Sequence, residues 1–110
     1  MTQSISREAI HQALLRHEAL TLVEALPERY YRDAHLPGAL QINHDEVDAK
    51  ASTLLPDKSA RIVVYCSNSA CANSGKAALR LQQLGYTNVF KYADGKQDWV
   101  EAGLAVEKSG

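Results

Sequence analysis

Cys66 and Cys71 are the two cysteines of the sequence, five residues apart in Cys66-Ser67-Asn68-Ser69-Ala70-Cys71-Ala72-Asn73-Ser74. A thiol is a nucleophile when ionised, and ionisation is favoured where backbone N–H groups and the positive end of a helix face the sulfur. The side chains after Cys66 are short, which lets consecutive amides turn inward as an anion-binding concavity, and the segment runs straight into a helical pattern. The same donors would hold a persulfide or a bound oxyanion. The segment therefore offers Cys66 as catalytic residue and Ser67, Asn68, Ser69, Ala70, Cys71, Ala72, Asn73 and Ser74 as its binding loop. The competing reading of Cys66 is a small apolar side chain filling a strand end; the order strand, Cys, short-residue loop, helix favours the functional one. Cys71 stays open between a resolving thiol, a disulfide partner and an inward-packing loop residue. A metal site is not expected, because two thiols at this spacing lack the second ligand pair of a zinc centre.

The elements that must position this loop follow from periodicity. Arg61-Ile62-Val63-Val64-Tyr65, immediately before Cys66, is the most apolar strand pattern in the chain. Ala19–Val23, Ala39–Ile42 and Asn88–Tyr92 are three more strand patterns. After the loop, Ala77, Ala78, Leu81 and Leu84 fall on one helical face, with Ser74 reading as the cap and Gly85 as the stop. A capped helix opens at Ser6 and ends near His17. Pro27–Asp33, Asp45–Ala51 and Asp94–Ala102 are further helical patterns, the last ended by Gly103. Alternating strand and helix implies a parallel sheet covered on both faces, with ligands outside the carboxyl ends of the strands. Cys66 lies at such an end.

Composition bounds the partners. At 110 residues, 45% apolar and 23% charged, the chain is expected to be a single α/β domain over 1–110 with one packed core. A formal net charge of −1 disfavours nucleic acid and anionic membrane as partners. The polar start and the absence of a long apolar stretch read as a cytoplasmic protein. Lys108-Ser109-Gly110 reads as a loose tail.

Three stretches resemble the rhodanese-like domains, single-domain sulfurtransferases in particular, with similarity running from about Ser4 to Val106. His35-Leu36-Pro37-Gly38-Ala39 is similar to the G-H-I-P-G-A signature, Val63-Val64-Tyr65-Cys66 to the strand entering the active-site cysteine, and Asp94-Gly95 through Trp99 to Ala102-Gly103-Leu104 to the closing G-G-x-x-x-W-x-x-A-G-L pattern. The resemblance implies a three-layer sandwich, a five-stranded, mostly parallel sheet flanked by helices, with Cys66 at the bottom of a cradle-like loop. It also implies a sulfurtransferase, with no cofactor, that moves a sulfane sulfur from thiosulfate or a persulfide donor to a thiol or cyanide acceptor through a Cys66 persulfide. Expected partners are small sulfur donors and thiol acceptors, or a protein thiol. The alternative is a non-catalytic binding or redox-sensing module with a Cys66/Cys71 disulfide switch.

The departures from the family pattern carry information. The loop is longer than usual and holds no Arg or Lys, with Lys76 the nearest cation in sequence, so a persulfide donor fits better than thiosulfate. Ala72 stands where the phosphate-ester hydrolysing relatives close a C-x5-R motif with Arg, which disfavours that activity. Glu24-Ala25-Leu26 replaces D-V-R, leaving Glu24 to support neighbouring loops by accepting backbone N–H bonds. His35 is expected to bond the backbone within a Pro37-Gly38 turn. Trp99 and Tyr92 are expected to pack, and His11, His17, His44, Arg29, Arg32 and Asp33 to face solvent.

Overall fold

The structure, a computed structural model describing residues 3–108, is a five-stranded parallel sheet between two helical layers. In chain order the elements are β1 (Gln3–Ser4), α1 (Arg7–Leu15), β2 (Thr21–Glu24), α2 (Glu28–Asp33), β3 (Leu40–Gln41), α3 (Val47–Leu54), β4 (Ile62–Tyr65), α4 (Asn73–Gln83), β5 (Val89–Tyr92) and α5 (Gly95–Glu101). The strands lie in the order β1-β5-β4-β2-β3, every pair parallel. Of the tail 108–110, Ser109 and Gly110 lie outside the described residues.

β4 is the middle strand, and its apolar run follows from that place: a central parallel strand is covered on both faces. Ile62 and Val64 pack with Val23, Ala51, Ala77, Ala78 and Leu81, beneath α3 and α4. Val63 and Tyr65 point the other way, to Ile10, Leu22, Tyr92 and Trp99, beneath α1 and α5. Full burial of a Val or Ile side chain stabilises by roughly 1.5–3 kcal/mol, so β4 is the best-anchored element. Trp99 and Tyr92 are core side chains, as expected.

The chain moves outward from β2 to β3, then returns through β4 to β5 on the opposite side. The reversal places a crevice at the carboxyl ends of β2 and β4, where Glu24 pairs in register with Tyr65 and Cys66 follows. That is the switch point at which open α/β sheets bind ligands.

Local signals explain most boundaries. The Ser6 hydroxyl accepts from the Ala9 amide and caps α1. Gly85, at φ +100, follows α4. Leu36-Pro37-Gly38-Ala39 is a turn closed by the Ala39 amide on the Leu36 carbonyl, with Gly38 at φ +75, the sign a type II turn requires. The C-terminal strand-like segment latches this turn: His35 and Glu107 exchange backbone hydrogen bonds, and the Gly38 amide donates to the Glu107 carboxylate. Two expectations are corrected. β1 is a strand that the polar start of the sequence does not announce. Ser74 is not the cap of α4, which begins at Asn73 without a side-chain cap; Ser74 sits buried in the first turn.

Candidate active site

Cys66 ends the central strand and is buried, while Cys71 is half-buried on the loop above it; both are free thiols. The Cys66 sulfur lies 3.5 Å from the Ser74 hydroxyl and 3.4 Å from the Cys71 carbonyl oxygen. Placing Ser74 inside the helix is what brings its hydroxyl to the sulfur. A cap would have turned it to the helix end instead.

The loop divides its donors between two sulfurs. The Cys66 thiol donates to the Ser74 hydroxyl oxygen, and the hydroxyl and amide of Ser74 favour the ionised sulfur. The Cys66 thiol donates to the Cys71 carbonyl oxygen at 3.4 Å, and the Cys66 thiol, the amides of Asn73 and Ser67 and the Ser67 hydroxyl are the polar groups that act on the Cys71 sulfur. Burial pushes the Cys66 thiol above its ordinary value, donation to Cys71 adds to the rise, and Ser74 only partly offsets it. At Cys71 the same burial penalty is outweighed by the hydrogen bonds from Cys66, Asn73 and Ser67, and the thiol is held below its ordinary value. The two thiols are thus shifted in opposite directions, Cys71 ionising more readily than Cys66. The sequence expectation aimed every amide from Ser67 to Ser74 at Cys66; in the structure only the Ser74 amide acts on Cys66, those of Asn73 and Ser67 act on Cys71, and those of Ala70 and Cys71 bond Asn68.

The remaining loop residues shape the turn. The Asn68 side chain accepts from the Ala70 amide, and its carbonyl from the Cys71 amide. Ser69, Ala70 and Ala72 are exposed. Asn68 and Ser69 edge an open groove of about 210 Å³ whose far wall is Asp94, Gln97, Asp98 and Glu101 of α5 and the turn before it. Three carboxylates make that wall unfavourable for anions.

α5 moors the loop from below. The amides of Lys96 and Gln97 donate to the carbonyls of Cys66 and Ser67, each at 2.8 Å. Gly95 permits this approach: it sits at φ +74, and a Cβ there would lie 2.6 Å from the Cys66 carbonyl oxygen. Beneath lies a buried ion pair. Lys96 donates to Glu24 at 3.0 Å and to the carbonyls of Tyr30 and Ala34, while the Tyr65 hydroxyl donates to Glu24 at 2.8 Å and accepts from the Leu36 amide. Glu24 thus supports the loops through side-chain partners rather than the backbone N–H bonds expected. Burial raises its pKa against the lowering pull of Lys96 and Tyr65.

His35 behaves as expected of a turn residue: its Nδ1 bonds the Tyr31 carbonyl and its ring stacks on Tyr31. His17, Arg29, Arg32 and Asp33 are exposed; His11 and His44 are half-buried, and His11 meets the edge of Trp99. Two functional candidates carry no motif. Lys96 fills the role left by the missing Arg after β2, and its signal is the lysine directly after Gly95. Lys91 stands opposite Val64 on β5, and its ammonium reaches the first turn of α4, 3.5 Å from where a Gly75 side chain would begin. The alternation of β5 is its only sequence signal.

Comparison with known proteins agrees with this arrangement. The model of the rhodanese-like domain matches residues 7–102. The thiosulfate sulfurtransferase PspE of Escherichia coli is 39% identical over 64 residues, covering 58% of this chain and 59% of that protein. A sulfurtransferase of Allochromatium vinosum is 27% identical over 106 residues, 96% of this chain and 95% of that one. The crystal structure of the BH2092 protein of Bacillus halodurans shares the fold with a TM-score of 0.89 at 23% identity, covering 97% of this chain and 77% of that one. The chain spans about half the length of several of the curated relatives it matches. With a parallel sheet of this order, a cysteine at the end of its central strand and a match over most of its length, the chain belongs to the rhodanese-like domain family.

Proposed function

We propose that this domain transfers a sulfane sulfur, taking it from thiosulfate or a persulfide donor onto Cys66 and passing it to a thiol or cyanide acceptor. The observation that carries the reading is the Cys66 sulfur at the switch point, 3.5 Å from the Ser74 hydroxyl and 3.4 Å from the backbone of Cys71, a second thiol able to take its proton. Proton transfer to Cys71 leaves a Cys66 thiolate beside two donors. That thiolate attacks the outer sulfur of the donor, expelling sulfite or a thiolate, and the resulting persulfide charge stays on Ser74. An acceptor nucleophile then removes the outer sulfur and restores Cys66.

Intact-mass measurement after exposure to each donor tests this. Gain of one sulfur on the wild type and none on Cys66→Ser is the expected result; equal sulfur transfer by both proteins discards it. The placement of two free thiols on one loop, the Cys66 sulfur 3.4 Å from the Cys71 carbonyl, favours a second reading, a redox-sensing module whose Cys66 and Cys71 form a disulfide. That module would lose two hydrogens under mild oxidant and take up no sulfur from any donor.

A further inference from the structure

The Cys66 sulfur has few ways to be approached. Its residue is 1% exposed, and its polar neighbours are Ser74, the Cys71 carbonyl and, at 4.0 Å, the Asn68 carbonyl. Once Cys66 carries a second sulfur, an outside nucleophile meets the outer atom of the persulfide. The inner atom remains enclosed by the loop. Cys71 borders that enclosure: its carbonyl oxygen lies 3.4 Å from the Cys66 sulfur, and its thiol is half-buried on the same loop, within reach of a sulfur five residues away.

We propose that Cys71 is a second catalytic thiol which attacks the inner sulfur of the Cys66 persulfide, so that the loop discharges its cargo as hydrosulfide and closes as a Cys66–Cys71 disulfide. The inference rests on the Cys66 persulfide proposed above. Cys71 passes the proton it took from Cys66 to the outer sulfur, the bond from Cys66 to that sulfur breaks, and the outer sulfur leaves with the bonding pair as HS⁻. The new bond joins Cys71 to Cys66. The transferred sulfur is reduced by two electrons, and the two cysteine sulfurs are together oxidised by two. An external dithiol resets the site by attacking Cys71, the more exposed sulfur of the disulfide, and expelling Cys66 as a thiolate onto the Ser74 donors. A single-cysteine loop can only wait for an acceptor; this one empties itself and then requires reductant.

The test uses the 110-residue chain and its Cys71→Ser and Cys71→Ala variants, loaded anaerobically with glutathione persulfide or thiosulfate and then freed of excess donor. Mass and trapped hydrosulfide are followed together. In the wild type one sulfur is gained and then lost, with two hydrogens lost and one equivalent of hydrosulfide released. Both variants keep the added sulfur, and release slows by ~10-fold or more. Persistence of the added sulfur in the wild type, or hydrosulfide release from the variants at the wild-type rate, overturns the proposal while leaving the Cys66 persulfide intact. Failure of wild type and well-folded variants alike to take up sulfur overturns both. Should the variants not fold, the wild type decides alone: a Cys66–Cys71 disulfide peptide rising in step with hydrosulfide supports the mechanism, and hydrosulfide without that peptide sinks it.

Discussion

Cys66 and Cys71 are shifted in opposite directions, and pH decides which of them an electrophile finds. Hydrogen bonds from Cys66, Asn73 and Ser67 hold Cys71 below its ordinary value, and burial holds Cys66 above. In an iodoacetamide series read by peptide mass, Cys71 is expected to react with a midpoint below about 8.5, the value of a free thiol, and Cys66 only above it. Labelling of Cys66 first would remove the charge assignment. Ser74→Ala takes away the hydroxyl that faces the Cys66 sulfur but keeps the amide; sulfur loading should slow ~10-fold, one hydrogen bond to a charged group being worth about 1.5–3 kcal/mol. Lys91 acts at longer range. An exposed charge pair contributes up to about 1 kcal/mol, so Lys91→Met should raise KM for thiosulfate by up to about five-fold while leaving that for cyanide unchanged.

Among the elements, β4 and α4 are plain in the sequence because each has a strong period: four buried residues in a row for a central strand, and Ala77, Ala78 and Leu81 for a helix face. Cys66 at the end of that strand is equally plain. β1 is not, since two exposed polar residues become a strand only by pairing with Phe90 and Lys91. Ser74 misleads for a related reason. A serine at a helix start is a cap by local chemistry, and only the position of Cys66, eight residues away, turns it inward. The division of the amides between two sulfurs depends on how the loop folds back, which residue types do not encode. α5 shows the same dependence at Gly95. Gly95→Ala forces a Cβ onto the Cys66 carbonyl at a positive φ, and should cost about 2–4 kcal/mol in urea unfolding while cutting sulfur loading. Unchanged stability with unchanged loading would show that α5 does not moor the loop.

Across the whole molecule, the Glu24–Lys96 pair joins β2 to α5 and, through the Tyr30 and Ala34 carbonyls, to α2 and its exit. Its partners are 72 residues apart, which hides it from any local pattern. Removing one partner strands a buried charge, so Lys96→Met should destabilise by about 3–5 kcal/mol, and Glu24→Leu added to it should recover much of that. The pH slope follows from the raised Glu24 value: the folded state binds this proton more tightly than the unfolded chain does. The corresponding stability is present below about 4.3, the ordinary carboxyl value, and is lost as pH rises through the raised one. Glu24→Gln should flatten unfolding free energy across that interval, and an unaltered slope would locate the titration elsewhere. The sheet, finally, is flanked by strands of two residues each. A foreign strand laid along either rim would find only a couple of rungs to grip, so the domain resists being knitted edge to edge into aggregates.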